Sequence, residues 1–359
     1  MCTAGSAPSR LSMTNLSSGV PTVAEAIVKT RTGAGGVEIR DVTTPPPGPG
    51  QVRVEVAAAG ICGTDLHILD GEWPTTPPVV MGHELSGTVV DCGPGVSTDW
   101  LGAGVVAEVL ITDGTCGYCL RGQRNMCPNR RAIGRQADGA FTRFVVVPEV
   151  NLHRVPEGLD LVEAALAEPL ACVLGALMDR PVVAPGDRIL ITGPGTIGLL
   201  AAQVARMAGG QVTVLGTAKD RYRLAVAEQL GFATLGLTAQ VEPSDVEERY
   251  DVVIECAGAA AAINLGLAAC AKSGTLVQLG IFGKSVQTDM DQFCLKNIAF
   301  VTSFAAAPRT LERALVLLSS GQIAADPIIT NVSALRDWPE VFAHSRGGDG
   351  LKYMFDPRL

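Results

Sequence analysis

One hexapeptide restricts this chain more than any other stretch: Gly193-Pro194-Gly195-Thr196-Ile197-Gly198. It follows an apolar run that reads as a buried strand, Arg188–Thr192, and leads into Ile197–Ala208, whose apolar residues recur at helical spacing. A strand that enters a helix through so short a turn needs a residue free to bend at Gly193. It needs bare backbone where a pyrophosphate meets the helix N-terminus at Gly195, and no side chain where helix and strand touch at Gly198. The following residues keep the same rhythm. Gln211–Leu215, Tyr250–Glu255, Thr275–Leu279 and Ala299–Thr302 read as strands, and Arg221–Leu230 and Ala259–Ala269 as helices, with a short acidic helix expected between Thr238 and Arg249. Such alternation predicts a doubly wound parallel sheet. With the glycine turn it predicts a dinucleotide pocket at Gly193, Gly195, Thr196, Ile197 and Gly198.

The same pattern asks for an acid about 20 residues on, at the end of the second strand, to hold the adenosine ribose. That strand ends Val214-Leu215-Gly216, so a glycine stands there. Two readings follow. Asp220 serves as the ribose acceptor, which selects NAD, or Thr217, Lys219 and Arg221 receive a 2′-phosphate, which selects NADP; NAD is the preferred reading.

At 359 residues the chain is long enough for two domains. With 28 basic and 36 acidic residues its net charge is −8, and no basic run interrupts it, which argues against nucleic acid or an anionic membrane as partner. No apolar run reaches the roughly 18 residues a membrane span requires. Residues 1–21 are Ser/Thr/Gly/Pro-rich without the apolar centre of an export signal, and read as a disordered tail on a cytoplasmic protein. Ten cysteines in a reducing compartment direct attention to metal.

From Thr22 to Pro156 the texture is short β-like runs (Val52–Ala57, Leu85–Val90, Val105–Val109, Phe144–Val147) broken by turns such as Cys92-Gly93-Pro94-Gly95, as in a partly open barrel. Cys62-Gly63-Thr64-Asp65-Leu66-His67, Gly82-His83-Glu84 and Glu168-Pro169 supply a thiol, imidazoles and carboxylates. Three such ligands with one open position describe a catalytic zinc.

Taken together, Cys62-x-Thr64-x-x-His67, Gly82-His83-Glu84 and the turn Gly193–Gly198 resemble the zinc-dependent medium-chain alcohol dehydrogenases. Ala59–His67, Glu168-Pro169-Leu170 and Gly350-Leu351-Lys352 resemble its polyol, sorbitol and threonine dehydrogenase branch. The resemblance implies an α/β protein: a GroES-like β-rich catalytic domain over residues 22–171 and 305–359, and a Rossmann NAD(P)-binding domain over 172–304. It implies that Cys62, His83 and Glu168 hold the catalytic zinc, with Glu84 beside them or as an exchanging ligand. Thr64 would bond the substrate oxygen, and His67 would end a proton path to solvent. Zinc lowers the pKa of an alcohol, and a hydride then passes to the nicotinamide. The expected substrate is a secondary alcohol: a polyol, sugar, cyclitol or amino alcohol. A homodimer or homotetramer is implied, through the sheet edge near Ala299–Ser303.

Cys116-Gly117-Tyr118-Cys119 and Cys127 resemble the structural-zinc lobe of the same family, whose first cysteine falls here at Asp113. An Asp113/Cys116/Cys119/Cys127 site is chemically sound, since an aspartate oxygen ligates zinc. Cys92, Cys172, Cys256, Cys270 and Cys294 read as packing residues, His153 and His344 as residues without a partner, and Trp73, Phe282 and Phe304 as candidate pocket walls. The competing readings are an NADPH-dependent ketone reductase of the same fold, a zinc-free reductase, and a non-catalytic NAD(P)-binding protein.

Overall fold

The computed structural model describes residues 22–237 and 246–359. The expected tail, 1–21, and most of the expected acidic helix lie outside them; Val246–Glu248 form a turn.

Strand Gln51–Gly60 is the hub of the first half. Nearly all of it is buried, including Arg53, which pairs with Asp91 at 2.9 Å, and its second half, Val56–Ala59, is wholly apolar. It pairs antiparallel with Glu84–Cys92, Phe144–Pro148 and Lys352–Phe355. Gly104–Ala107 and Leu152–Arg154 extend one side of the sheet, and Ile329–Ser333 the other. A hairpin not anticipated from sequence, Thr22–Lys29 with Val37–Thr44, joins Val79–Val80 in a separate three-stranded sheet. The Pro/Gly-rich chain after residue 320 therefore does not wander. It supplies two strands to the first sheet and a helix, Trp338–Gly347.

The second half is a six-stranded, all-parallel sheet in the order Ala233–Leu237, Gln211–Thr217, Arg188–Thr192, Tyr250–Glu255, Cys270–Gln278, Ala299–Thr302. Its helices include Thr196–Met207, Arg221–Gln229 and Ala260–Ala269. The helix Ala167–Leu177 is packed between helices Thr196–Met207 and Pro308–Ser319. Leu170, Leu174, Leu199, Leu200, Leu311 and Leu315 share one apolar cluster there. At roughly 1.5–3 kcal/mol per buried side chain of this kind, that cluster fixes the helix carrying Glu168 firmly.

Candidate active site

Strand register brings the first ligand set together. Gly60 pairs with Glu84 and with Met354, so Cys62, His83 and Lys352 all gather at one end of the sheet. Gly60 has no side chain because a Cβ there would collide with the Glu84 carboxylate. The Cys62 sulfur and one ligand atom each of His83 and Glu84 lie within 4.8 Å of one another. Glu168 is outside that set; it lines the same cleft from the first turn of Ala167–Leu177, where Pro169 needs no N–H partner. The sequence placed Glu168 just ahead of the α/β segment; it is inside a helix.

His83 and Glu84 are buried here, and Cys62 and Glu168 are half-buried. Burial lowers the pKa of His83, but Cys62 and then Asp65 outweigh it and push it up to about 10. Burial raises Glu168 to about 7, against the pull of His83. Lys352 loses by burial but gains more from Glu84, to which its Nζ donates at 2.5 Å, and stays charged. Its second bond goes to the Ile61 carbonyl, 2.8 Å. Lys352 is thus spent on Glu84 and does not face substrate.

Asp65, which sequence reasoning passed over, belongs to the site. One oxygen accepts from the Cys62 N–H at 2.9 Å and caps helix Gly63–Leu69. The other lies 3.9 Å from His83 Nδ1. Both of those facing atoms are buried without a hydrogen-bond partner. An acid beside Nδ1 is the usual way of turning the opposite nitrogen, Nε2, to a metal. The signal was present in Cys62-x-x-Asp65, an Asp three residues after a helix-capping position. This donor set, with two orphaned polar atoms behind it, suits a divalent cation.

A cleft of about 340 Å³ opens from the cluster. Thr64, His67, Trp73 and Phe304 line it, as do Glu168, Ile197 and Ala257. Phe282 is not among its lining residues. His67 lies a turn after Thr64, and its Nδ1 is 2.6 Å from Glu72 Oε2. Cys172 and Cys256, read from sequence as packing residues, also face the cleft. Cys172 donates to Glu168 Oε1 at 3.6 Å. His153 is not partnerless either: Nε2 meets Glu108 at 3.2 Å and Nδ1 lies 3.6 Å from Glu312. His344 Nδ1 lies 3.7 Å from Asp349.

The glycine turn has the geometry its sequence requires. Gly193 has φ +92°, and a Cβ there would come within 2.8 Å of Ala257. A Cβ on Gly198 would strike the Gly193 carbonyl, whereas one on Gly195 would meet open space. Gly195 is the N-cap of Thr196–Met207, so that open space lies at a helix N-terminus. This cradle suits a pyrophosphate. Gly216 has a reason of its own, since a Cβ there would come 2.9 Å from Pro194 of the turn. Asp220 Oδ2 accepts from Thr217 N–H at 2.8 Å and from its hydroxyl at 2.7 Å, and Oδ1 lies 3.7 Å from Arg223. Lys219 and Arg221 are exposed, with no carboxylate partner among the described residues.

The second cluster, Asp113, Cys116, Cys119 and Cys127, also has its ligand atoms within 4.8 Å of one another. Asp113 accepts from the N–H groups of Thr115 and Cys116, both 3.0 Å, and from Asn129. These bonds hold its carboxyl far below the usual carboxylate range.

Residues 48–157 match the alcohol dehydrogenase GroES-like domain, and residues 196–320 match the zinc-binding dehydrogenase family. A sorbitol dehydrogenase of Halalkalibacterium halodurans is 35% identical over 93% of this chain and 99% of its own. A D-arabitol-phosphate dehydrogenase of Enterococcus avium is 35% identical over 88% of this chain and 92% of its own. Among solved structures, a zinc-binding dehydrogenase from Sinorhizobium meliloti bound to NADP is 34% identical, with a TM-score of 0.85 over 94% of this chain and all of its own. The chain belongs to the zinc-binding alcohol dehydrogenase family. It is an oxidoreductase that uses zinc and a nicotinamide cofactor on an alcohol.

Proposed function

We propose that Cys62, His83 and Glu168 hold a catalytic zinc, with Glu84 in reserve under the hold of Lys352. The chain then oxidises a secondary alcohol of a polyol, sugar, cyclitol or amino alcohol with NAD(P). The observation that carries this reading is the convergence of the Cys62 thiol, the His83 imidazole and the Glu84 carboxylate within 4.8 Å of one another, with Glu168 on the wall of the same cleft, which Ile197 of the glycine turn also lines. When bound, zinc supplies the Lewis acidity that lowers the pKa of the substrate hydroxyl. Thr64 would take the hydroxyl proton while passing its own outward, and His67, whose ring Glu72 holds at 2.6 Å, would release a proton to solvent at the outer end of the path. Ile197 and Ala257, which line the cleft, would flank the nicotinamide. Asp65 holds His83 in orientation. The division of labour assigns residues 22–171 and 305–359 to metal and substrate, and 172–304 to cofactor.

NAD is the cofactor proposed, with Asp220 at the adenosine ribose. One observation favours NADP instead: Asp220 is already engaged by Thr217 and faces Arg223, while Lys219 and Arg221 stand free of carboxylates. Initial rates with each cofactor, on sorbitol and on L-threonine, test the whole reading. Absence of turnover with both cofactors across alcohols, in protein that holds zinc, sinks it.

A second, structural zinc is proposed at Asp113, Cys116, Cys119 and Cys127. The strand Ala299–Thr302 is a free edge of the parallel sheet with Phe300 47% exposed, which supports pairing of two copies there. A reducing cytoplasm is the proposed compartment, where thiols stay unbridged.

A further inference from the structure

The cleft does not end at Trp73 and Phe304. A second cavity of about 670 Å³ lies beyond, sharing Trp73, Leu110, Ala132, Arg135 and Phe304 as walls. Two arginines stand in it. Arg130 lies with its guanidinium carbon 5.3 Å from the centre of the Phe304 ring, and Arg135 lies 5.1 Å from that of Trp73. The aromatic faces orient both guanidiniums without neutralising them. Among the described residues neither is paired with a carboxylate. Arg130 Nη1 donates to the Cys127 carbonyl at 3.0 Å. Arg135 Nε and Nη2 donate to the Pro74 carbonyl at 3.3 and 3.0 Å. Most of their fork-shaped donors are left over. Burial first, and then the charge of Arg130, lower the pKa of Arg135, so the two like charges feel each other. The acid that lines this cavity, Glu72, is taken by His67 at 2.6 Å. Two neighbouring cations without a counter-ion, in a space continuous with the substrate cleft, make a receptor for an anion.

We propose that Arg130 and Arg135 receive a phosphomonoester carried by the substrate at the end away from the carbon oxidised, so that the preferred substrate is a phosphorylated polyol. This rests on the dehydrogenase reading above and adds a charge to its substrate. A phosphomonoester brings about 1.5 to 2 negative charges and three acceptor oxygens, which matches two guanidinium forks. A hydroxy-amino acid brings one carboxylate and an ammonium that the same arginines repel.

The test uses the zinc-holding protein and three substrates, sorbitol, sorbitol 6-phosphate and L-threonine, each with NAD and with NADP. The expected kcat/KM for sorbitol 6-phosphate exceeds that for sorbitol on the order of 10²-fold, and Arg130→Gln and Arg135→Gln each cut that ratio on the order of tenfold. Arg135→Lys, which keeps the charge and is the safer variant for folding, retains part of the ratio. Arg40→Gln, on an exposed strand, leaves it where it was. Calorimetric titration with inorganic phosphate gives a readout apart from turnover: binding is expected in the parent protein and weakens in Arg135→Gln. A ratio near one, a ratio indifferent to both arginines, or preference for L-threonine overturns the proposal. Arginine-dependent phosphate binding without oxidation of any alcohol upholds the anion site and overturns the dehydrogenase reading alone.

Discussion

The two cysteine-bearing clusters of this protein are built alike and situated oppositely. Each brings a carboxylate and at least one thiol within 4.8 Å of each other. In the Asp113/Cys116/Cys119/Cys127 lobe the donors are largely satisfied locally. Backbone N–H groups two and three residues away cap Asp113, and the Cys116 sulfur accepts from Cys119 N–H at 3.5 Å. In the Cys62/His83/Glu84 cluster His83 and Glu84 are buried and Cys62 half-buried, and His83 Nδ1 and Asp65 Oδ1 have no hydrogen-bond partner among the described residues. Backbone N–H groups and Asn129 hold Asp113 in the first cluster, and Lys352 holds Glu84 at the second. A metal in the first would therefore secure a loop, while a metal in the second would stand beside a cleft, in front of two unpartnered buried atoms.

The comparison is most open to refutation at its buried end. Cys62→Ser is expected to cost several kcal/mol of transition-state charge stabilisation, on the order of 10³-fold in kcat, and to lower the zinc measured per chain. Wild-type turnover with full zinc content would remove Cys62 from the ligand set. Lys352→Met leaves Glu84 buried without its cation. A loss of about 3–5 kcal/mol in denaturant unfolding is expected, and an unchanged midpoint would mean that Glu84 is neutral in the fold. Thr64→Ala is expected to cost on the order of 10²-fold in kcat with the cofactor Kd nearly unchanged; a matching loss of cofactor affinity would make Thr64 a structural residue.

The pH dependence sharpens the same contrast. His83, raised to about 10, and Glu168, raised to about 7, both bind protons more tightly in the metal-free fold than when unfolded. Their contributions are complete below the unfolded values, near 6.5 for His83 and 4.5 for Glu168, and are lost as pH rises through 10 and 7 respectively. Zinc-stripped protein should lose stability across that window, and zinc should restore more of it the higher the pH. Calorimetric Tm values with and without zinc at pH 6 and 9 decide this; a zinc increment that shrinks with pH contradicts it. The smallest effect is expected in the exposed lobe. Asp113→Ala should reduce zinc from two per chain toward one and lower Tm by a few degrees, while kcat stays within about twofold.

Much of the second half was legible because its central strands, Arg188–Thr192 and Tyr250–Glu255, are mostly buried. Arg188–Thr192, Tyr250–Glu255 and Ala299–Thr302 have the bounds their apolar runs predict. Gly193 and Gly198 announced their roles because a side chain at either point would collide with the turn's surroundings, while Gly195 keeps open space at the helix N-terminus. The hairpin Thr22–Thr44 was missed although Val37-Glu38-Ile39-Arg40 alternates apolar and polar, because that alternation is short and stops at Asp41. Cys172 escaped because nothing in an apolar helix says which face meets a cleft. Arg130 and Arg135 looked like any surface arginines until their aromatic partners and the shared cavity were seen.

The sequence by itself determined the kinds of chemistry this protein holds: thiol, imidazole and carboxylate for a metal, a glycine turn for a dinucleotide, a threonine and histidine for a proton. Local rules decide these, because a turn or a ligand type depends on neighbours within a few residues. Only the tertiary structure decided how the charges balance. Lys352 meets Glu84 across 268 residues of chain, and Asp65 faces His83 because two strands share a register. Coulomb interactions and burial act through space, and no spacing along the chain records them.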